Sequence, residues 1–145
     1  MTSPRITDVC LVTQDLDAAV AFYTGKLGFT LDSRMPGFAD FTGPGCVLAV
    51  WDGQLIRETT GVPATSVEPS HHGVMVACEL ESPAEIDATY ERLSALGVKF
   101  YGPPRDYAWN ARCIYFAGSS GEFWEFFAWH EGGKPGRNPK PDEDL

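Results

Sequence analysis

The chain has 145 residues, 43% of them hydrophobic and 12% aromatic, and its formal net charge is −9. This size and composition are typical of one folded globular domain, and the negative charge argues against nucleic acid and anionic membrane surfaces as partners. No apolar run approaches the roughly 20 residues that span a bilayer, and the first residues lack the layout of a signal peptide. The four cysteines lie singly in apolar runs and lack metal-finger spacing, so we expect free thiols in a cytoplasmic protein.

The first half of the chain predicts a β-α-β-β-β order. Residues 5–13 form a β-branched, largely apolar run in which Asp8 is the polar exception on its face. Asp15 has the position of a helix N-cap, and Gly28 follows the last apolar residue at helical spacing. Three short strands are then expected, over residues 29–33, 38–42 and 46–52.

The second half repeats this order after a stretch, 53–70, that is rich in turn formers and is predicted to be a linker. A strand over 73–80 leads to a helix that starts with a capping box formed by Ser82 and Glu85. Gly97 ends this helix as Gly28 ends the first, at an offset of roughly 69 residues.

A short strand over 98–101 and a hairpin over 114–129 complete the second set of elements. The remaining residues, 131–145, are rich in glycine, proline and charge and are predicted to be a flexible tail.

The last strand carries an unusual carboxylate. Phe123, Glu125, Phe127 and Trp129 share one face of it, and the opposite face is apolar as well. A carboxylate in this setting must be hydrogen-bonded, paired with a cation, open to a wet cavity or bound to a metal. The candidate cationic partners for it and for Asp8 are Arg34, Arg105 and Arg112.

These elements resemble the vicinal oxygen chelate superfamily, which includes glyoxalase I, extradiol dioxygenases, fosfomycin resistance enzymes and bleomycin resistance proteins. The resemblance rests on DLDAAVAFYTGKLGF after the first strand and on GSSGEFWEF in the last hairpin, and it covers about residues 5–129. It implies an α+β fold of two tandem βαβββ modules whose curved mixed sheets surround a shared cavity, usually in a homodimer. The single domain would span residues 1–130, with module one over about 5–52 and module two over about 71–130.

The resemblance also identifies candidate metal positions. Metal-dependent members place up to four ligands on the concave face, and the matching residues here are Asp8, Ala49, Gly73 and Glu125. Ala49 and Gly73 offer no donor atom, whereas a catalytic metal usually keeps about three protein ligands. We therefore expect no cofactor. If a divalent metal binds, a shift in register would add His72, or its neighbour His71, to Asp8 and Glu125.

The same cavity positions carry aromatic and adaptable side chains, which suit a planar or bulky apolar ligand. The alternative for the tryptophans is packing in the core, which we expect for Trp124. The predicted ligand-binding residues are Asp8, Ala49, Trp51, Gly73, Met75, Tyr107, Trp109, Glu125 and Phe127.

The preferred interpretation is a small-molecule-binding protein of the glyoxalase/bleomycin-resistance type, holding an aromatic or apolar ligand in a metal-free cavity. It resembles the drug-binding resistance branch, and we expect a cytoplasmic homodimer. One alternative is a divalent-metal isomerase, lyase or dioxygenase that uses Asp8, Glu125 and a histidine. A second alternative is a metal-free enzyme in which Glu125 is the catalytic acid or base.

Overall fold

The computed structural model of the chain describes residues 7–43, 45–60, 62–64 and 74–135. The first module consists of strand β1 (Asp8–Thr13), helix α1 (Leu16–Ala21) with a π-helical turn (Phe22–Lys26), and strands β2 (Thr30–Met35), β3 (Phe38–Thr42) and β4 (Val47–Asp52). Helix α2 (Gly53–Thr60) follows it. The second module consists of strand β5 (Met75–Glu79), helix α3 (Pro83–Ala95), and strands β6 (Arg105–Tyr107), β7 (Ala111–Ala117) and β8 (Phe123–Trp129).

Each module forms one four-stranded sheet, and the strand order is the same in both. The first sheet has the order β1-β4-β3-β2 and the second the order β5-β8-β7-β6. In the first sheet, β1 runs parallel to β4, whereas β2, β3 and β4 are successive antiparallel neighbours. The repeated order confirms the predicted α+β fold of two βαβββ modules with mixed sheets.

Local sequence signals set the helix ends as predicted. The Asp15 carboxylate accepts a hydrogen bond of 3.1 Å from a backbone N–H in the first turn of α1. Ser82 Oγ accepts from the Glu85 N–H at 3.2 Å, while the Glu85 carboxylate accepts from the N–H of Glu81 instead of Ser82. The predicted capping box therefore forms one of its two hydrogen bonds as expected, and in the other the donor is one residue earlier in the chain. Gly97 follows α3 with φ of 83°, the left-handed conformation expected there.

The first helix ends in a π-helical turn that the sequence did not predict. The Leu27 N–H donates to the carbonyl of Phe22 at 3.2 Å, five residues back. The wider turn places Phe22 and Tyr23 in the interior, with 8% and 0% of their surfaces exposed. Gly28 then reverses the chain with φ of 78°.

The predicted linker begins with a helix. The Asp52 carboxylate accepts a hydrogen bond of 3.1 Å from the Leu55 N–H and so caps α2. Asp52 is also the last residue of β4, and this double role explains why the sequence did not predict α2. The later linker residues 65–70 and the tail residues 136–145 lie outside the described residues, so the domain limits stay predictions.

The strand predicted over 98–101 is wrong in its position. Phe100 forms only a single bridge with Phe116, and the edge strand of the second sheet is β6, four residues later. The intervening Pro103 and Pro104 lack a backbone N–H, so an edge strand can pair fully only after them.

The chain divides into two compact units, which do not coincide with the modules. The first unit contains the chain up to Val76 together with Ala117–Trp124, and the second contains Ala77–Phe116 and the chain from Glu125 onward. The largest buried side chains of the first unit are Trp124, Tyr23, Phe41, Leu48 and Val50, and those of the second are Phe116, Ile86, Leu93 and Ile114. No helix in the described part of the chain is long and apolar enough to cross a membrane.

Candidate functional site

The first unit contains a pocket whose lining is entirely apolar. It has a volume of about 280 Å³ and lies between the β2–β3 turn, the end of β4 and helix α2. Phe38 and Trp51 are register partners on β3 and β4, and their ring centroids are 6.3 Å apart at an interplanar angle of 85°. The pocket therefore offers two aromatic rings in an edge-to-face arrangement. Its lining residues are Met35, Pro36, Phe38, Trp51 and Leu55.

A glycine turn allows helix α2 to form one wall of this pocket. Gly37 has φ of 81°, and a Cβ at this position would meet Leu55 Cδ2 at 2.5 Å. The Asp52 N–H donates to the Gly37 carbonyl at 2.7 Å, and the Asp52 carboxylate caps α2. Because Asp52 contacts both the turn and the helix, it fixes the wall that Leu55 contributes.

The other ligand residues predicted in this part of the chain do not join the pocket. Ala49 is 4% exposed and pairs with Cys10 and Asp40 within the sheet. Asp8 lies exposed at the start of β1, where it accepts a hydrogen bond of 2.5 Å from Thr7 Oγ1.

The remaining predicted positions of the fifth strand are only partly described. Met75 begins β5 with 47% of its surface exposed. Gly73 and His72 lie outside the described residues, so the register shift that would bring in a histidine stays untested.

In the second unit, Glu125 is half-buried and hydrogen-bonded. The Tyr115 hydroxyl on β7 donates to Glu125 Oε2 with an O–O distance of 2.5 Å. Burial and this carboxylate together raise the pKa of Tyr115 above the usual tyrosine range. Tyr115 therefore stays a neutral donor to Glu125 at physiological pH.

The side chains around Glu125 are aromatic, and they include two of the predicted ligand residues. Tyr107 and Trp109 stack with centroids 4.6 Å apart and planes 20° apart, and Tyr107 meets the Tyr115 ring edge-on at 5.9 Å. Trp109 is 44% exposed. We call Tyr107, Trp109, Cys113, Tyr115 and Glu125 the Glu125 cluster.

Cys113 forms the buried floor of this cluster. Its side chain is 0% exposed, and burial followed by the Glu125 charge raises the pKa of its thiol. Trp109, Tyr115 and Glu125 lie close enough to the Cys113 thiol to add smaller effects to its pKa. A raised pKa favours the neutral thiol, which is a much weaker nucleophile than the thiolate.

Phe127, the last of the predicted ligand residues, is half-buried on β8. It packs against Trp129 with ring centroids 5.2 Å apart. The structure thus brings Tyr107, Trp109 and Glu125 together in one cluster, whereas Trp51 belongs to the pocket of the first unit.

The arginine partners expected for the carboxylates are wrong. Arg112 binds Asp87 at 2.9 Å and Asp106 at 3.1 Å, on the α3 side of the second sheet. Arg34 pairs with Asp17 of α1. Among the described residues, no ion pair joins an arginine to Asp8 or Glu125. Strand alternation explains this, because Arg112 and Tyr115 point to opposite faces of β7.

The described residues do not fit a metal centre. In residues 7–43, 45–60, 62–64 and 74–135, no group of three His, Cys, Asp or Glu side chains could hold an ion. The donors close to Glu125 are a tyrosine hydroxyl and a buried thiol, each in its protonated form. A metal site needs about three deprotonated ligands, and this cluster supplies one.

The first unit contains a buried carboxylate that the sequence did not predict. Glu122 is 3% exposed and accepts hydrogen bonds from Tyr23 Oη at 2.6 Å, Trp124 Nε1 at 2.8 Å and the Ser120 N–H at 2.8 Å. Burial and the Glu122 charge raise the pKa of Tyr23. The available signal was strand alternation, since the buried face of β8 continues from Trp124 back to Glu122. Because three donors bond to this buried carboxylate, we interpret Glu122 as a residue that stabilises the fold.

The repeated modules, together with a glutamate on the last strand, define a glyoxalase-type domain. A model of the Glyoxalase/Bleomycin resistance protein/Dioxygenase superfamily matches residues 5–126, and the chain belongs to this family. The resemblance predicted from the two sequence segments is confirmed.

Solved structures show the same relationship. A glyoxalase/bleomycin resistance protein/dioxygenase from Nocardioides is 69% identical, with a TM-score of 0.88 over 96% of this chain and 92% of that one. A glyoxalase-related enzyme from Fulvimarina pelagi is 25% identical, with a TM-score of 0.72 over 86% and 87%. A lactoylglutathione lyase from Agrobacterium tumefaciens, 21% identical with a TM-score of 0.71 over 88% and 96%, shares the fold. Comparison with functionally curated proteins gives no match.

Proposed function

We propose that the chain binds an aromatic or apolar small molecule in the pocket of the first unit, without a metal and without turnover. The observation that carries the proposal is the pocket of about 280 Å³ lined only by apolar side chains. Sites for small organic molecules are concave and mostly apolar. Phe38 and Trp51 supply ring edges and faces for a planar ligand. Met35, 56% exposed, supplies a flexible side chain that can adapt to the ligand.

The site chemistry supports binding over the two enzymatic alternatives. The metal-dependent alternative needs Asp8 and Glu125 as ligands, but Asp8 is exposed beside Thr7 and Glu125 already accepts the Tyr115 hydroxyl. The acid–base alternative needs Glu125 to exchange a proton with the ligand. The Tyr115 hydroxyl occupies one lone-pair position of Oε2 and competes there with a proton from the ligand.

Calorimetric titration with 2-methylnaphthalene, a neutral aromatic probe, tests the proposal. We expect saturable binding that Phe38→Ala weakens about tenfold, equivalent to roughly 1.4 kcal/mol. Leu55→Ala should also weaken binding. The matched control is Leu31→Ala, which removes the same side chain from a 38%-exposed position outside the pocket.

In a parallel fluorescence titration, the probe should quench the tryptophan emission of the wild type and of the Trp109→Phe variant to the same extent. The emission of the Trp51→Phe variant should not respond to the probe. Binding that is unaffected by both Phe38→Ala and Leu55→Ala would exclude this pocket as the ligand site. Binding that appears only after addition of a divalent metal would exclude the metal-free proposal.

We also propose that the protein is a homodimer, as the family resemblance implies. Apolar residues at the start of the second sheet support this, since Val74 and Met75 are 46% and 47% exposed. Light scattering should give twice the 15.9 kDa chain mass, and Met75→Lys should lower it. A monomeric mass for the wild type at micromolar concentration would contradict the proposal.

A further inference from the structure

The Glu125 cluster of the second unit combines an anion with aromatic surfaces, and the proposed function does not use it. Glu125 and Tyr115 face each other on β8 and β7, and the Tyr107–Trp109 stack lies beside them. Cys113 closes the floor below. The cluster lies within the second unit, whereas the pocket lined by Trp51 lies within the first.

The carboxylate of the cluster is fixed in place, and no cation among the described residues pairs with it. Tyr115 holds Oε2 at 2.5 Å, so the side chain has little freedom to turn into solvent. Arg112, which directly precedes Cys113 in the chain, is held on the opposite face by Asp87 and Asp106. Arg105 shares the face of Cys113 through its register, yet within the described residues it forms no ion pair with Glu125. Within the part of the chain that the structure describes, this half-buried carboxylate therefore has no counter-ion.

The aromatic part of the cluster presents an open surface next to this charge. One face of Trp109 stacks on Tyr107, so its 44% exposure belongs to its other face and its edges. The face of an indole ring is the best aromatic partner for an organic cation, and cation–π contacts strengthen when water is partly excluded. A carboxylate and an aromatic face together favour a ligand that carries positive charge on carbon-substituted nitrogen.

We propose that the Glu125 cluster binds an organic ammonium group, either a protonated amine or a quaternary ammonium. Glu125 neutralises the charge, Trp109 contacts the alkyl groups on the nitrogen, and Tyr115 positions the carboxylate. A bare metal ion would find one deprotonated ligand, which is too few. The chain's net charge of −9 adds long-range attraction for such a cation.

A pair of isosteric probes tests the charge requirement directly. Benzyltrimethylammonium and neopentylbenzene have the same shape, but only the first is charged. Both are titrated into the Trp51→Phe variant, so that fluorescence from the other pocket does not contribute. We expect Trp109 emission to change on binding, with the cation bound at least about tenfold more tightly than its neutral isostere.

Variants show where the cation binds and distinguish binding at the Glu125 cluster from general electrostatic attraction to an acidic protein. Glu125→Gln should lower the affinity for the cationic probe at least about tenfold and leave the affinity for the neutral probe unchanged. Glu79→Gln removes one carboxylate from β5 of the same sheet, outside the cluster, and should leave cation affinity within about twofold. Trp109→Leu keeps the carboxylate, so it should lower the affinity for the cationic probe by a smaller factor than Glu125→Gln does. Calorimetry measures this affinity, because the variant lacks the Trp109 emission. Thermal unfolding confirms that each variant is folded.

Three results would overturn the proposal. The first is equal affinity for the two probes, and the second is equal effects of Glu125→Gln and Glu79→Gln. The third is stoichiometric binding of Mn²⁺ alone that Glu125→Gln abolishes, which would make the cluster a metal centre. The proposal is independent of the Trp51 pocket, because a failure of 2-methylnaphthalene binding leaves these titrations unaffected.

Discussion

Replacing Tyr23 by phenylalanine tests the buried hydrogen-bond network of the first unit. The substitution removes one oxygen and keeps the ring, which packs edge-on against Phe22 and Phe41 at centroid distances of 5.4 and 5.5 Å. The lost hydroxyl donates to Glu122 Oε2 at 2.6 Å, and Glu122 is 3% exposed. Water therefore has no access to replace the missing donor.

We expect Tyr23→Phe to lower the free energy of unfolding by about 2 kcal/mol. Hydrogen bonds to charged groups contribute about 1.5–3 kcal/mol, and a buried acceptor left without its donor loses most of that. The donors from Trp124 and Ser120, both at 2.8 Å, remain and keep the loss moderate. Glu122→Gln should lower the free energy of unfolding further, by about 3 kcal/mol, because the NH₂ group of the glutamine would face hydrogen-bond donors that the carboxylate accepts from.

Urea unfolding at pH 7 measures these differences, with Tyr90→Phe as the matched control. The Tyr90 ring packs on Phe100 with centroids 4.7 Å apart, and no described residue bonds its hydroxyl. The control should change stability by less than about 0.5 kcal/mol. Equal losses for Tyr23→Phe and Tyr90→Phe would contradict this account of the network.

The same variant should change the response to alkaline pH. Burial and Glu122 raise the pKa of Tyr23, whereas an unfolded tyrosine ionises near pH 10, about its ordinary pKa. Above about pH 10 the unfolded state binds fewer protons than the folded state, so stability falls as the pH rises. Tyr23→Phe should make this fall shallower, and an unchanged slope would count against a buried neutral hydroxyl.

Two further substitutions test local features. Gly118→Ala should destabilise the protein more than Gly25→Ala, because a Cβ at Gly118 would overlap the buried Glu122 carboxyl group, while one at Gly25 meets nothing within 4 Å; equal urea midpoints would exclude this. Hydrogen bonds from His130 and Arg112 lower the pKa of Asp106, so its stabilising effect is present above about pH 4 and lost on acidification. Asp106→Asn should flatten the fall in melting temperature below pH 4, and an identical pH profile would show that another group causes it.

Much of the fold follows from short stretches of sequence. The caps at Asp15 and Ser82 and the glycines 28 and 97 act within a few residues of the chain, and the structure confirms each. The elements that sequence missed depend on more than one local pattern. Asp52 ends a strand and starts a helix at once, and the π-helical turn over Phe22–Lys26 carries two buried side chains, Phe22 and Tyr23.

The candidate site, like the fold, was predictable from the sequence only in part. Alternation along β8 predicted Glu125 and Phe127 on one face and Trp124 on the other, and the same rule, extended back by two residues, accounts for the buried Glu122 that was not predicted. The identity of each partner was decided only by tertiary structure. Glu125 bonds to Tyr115 across a hairpin, and Glu122 bonds to Tyr23, 99 positions away in sequence.

By itself, the sequence determined the β-α-β-β-β order within each module, the repeat of the module and the face on which each strand side chain lies, because these depend on local backbone geometry and solvent exclusion. The tertiary structure decided which carboxylate is buried, which donors satisfy it and which aromatic rings meet. A charged or aromatic side chain binds whatever the register and the packing of distant segments bring within about 3 to 5 Å of it. Those neighbours come from segments far apart in the chain, where local patterns give no information.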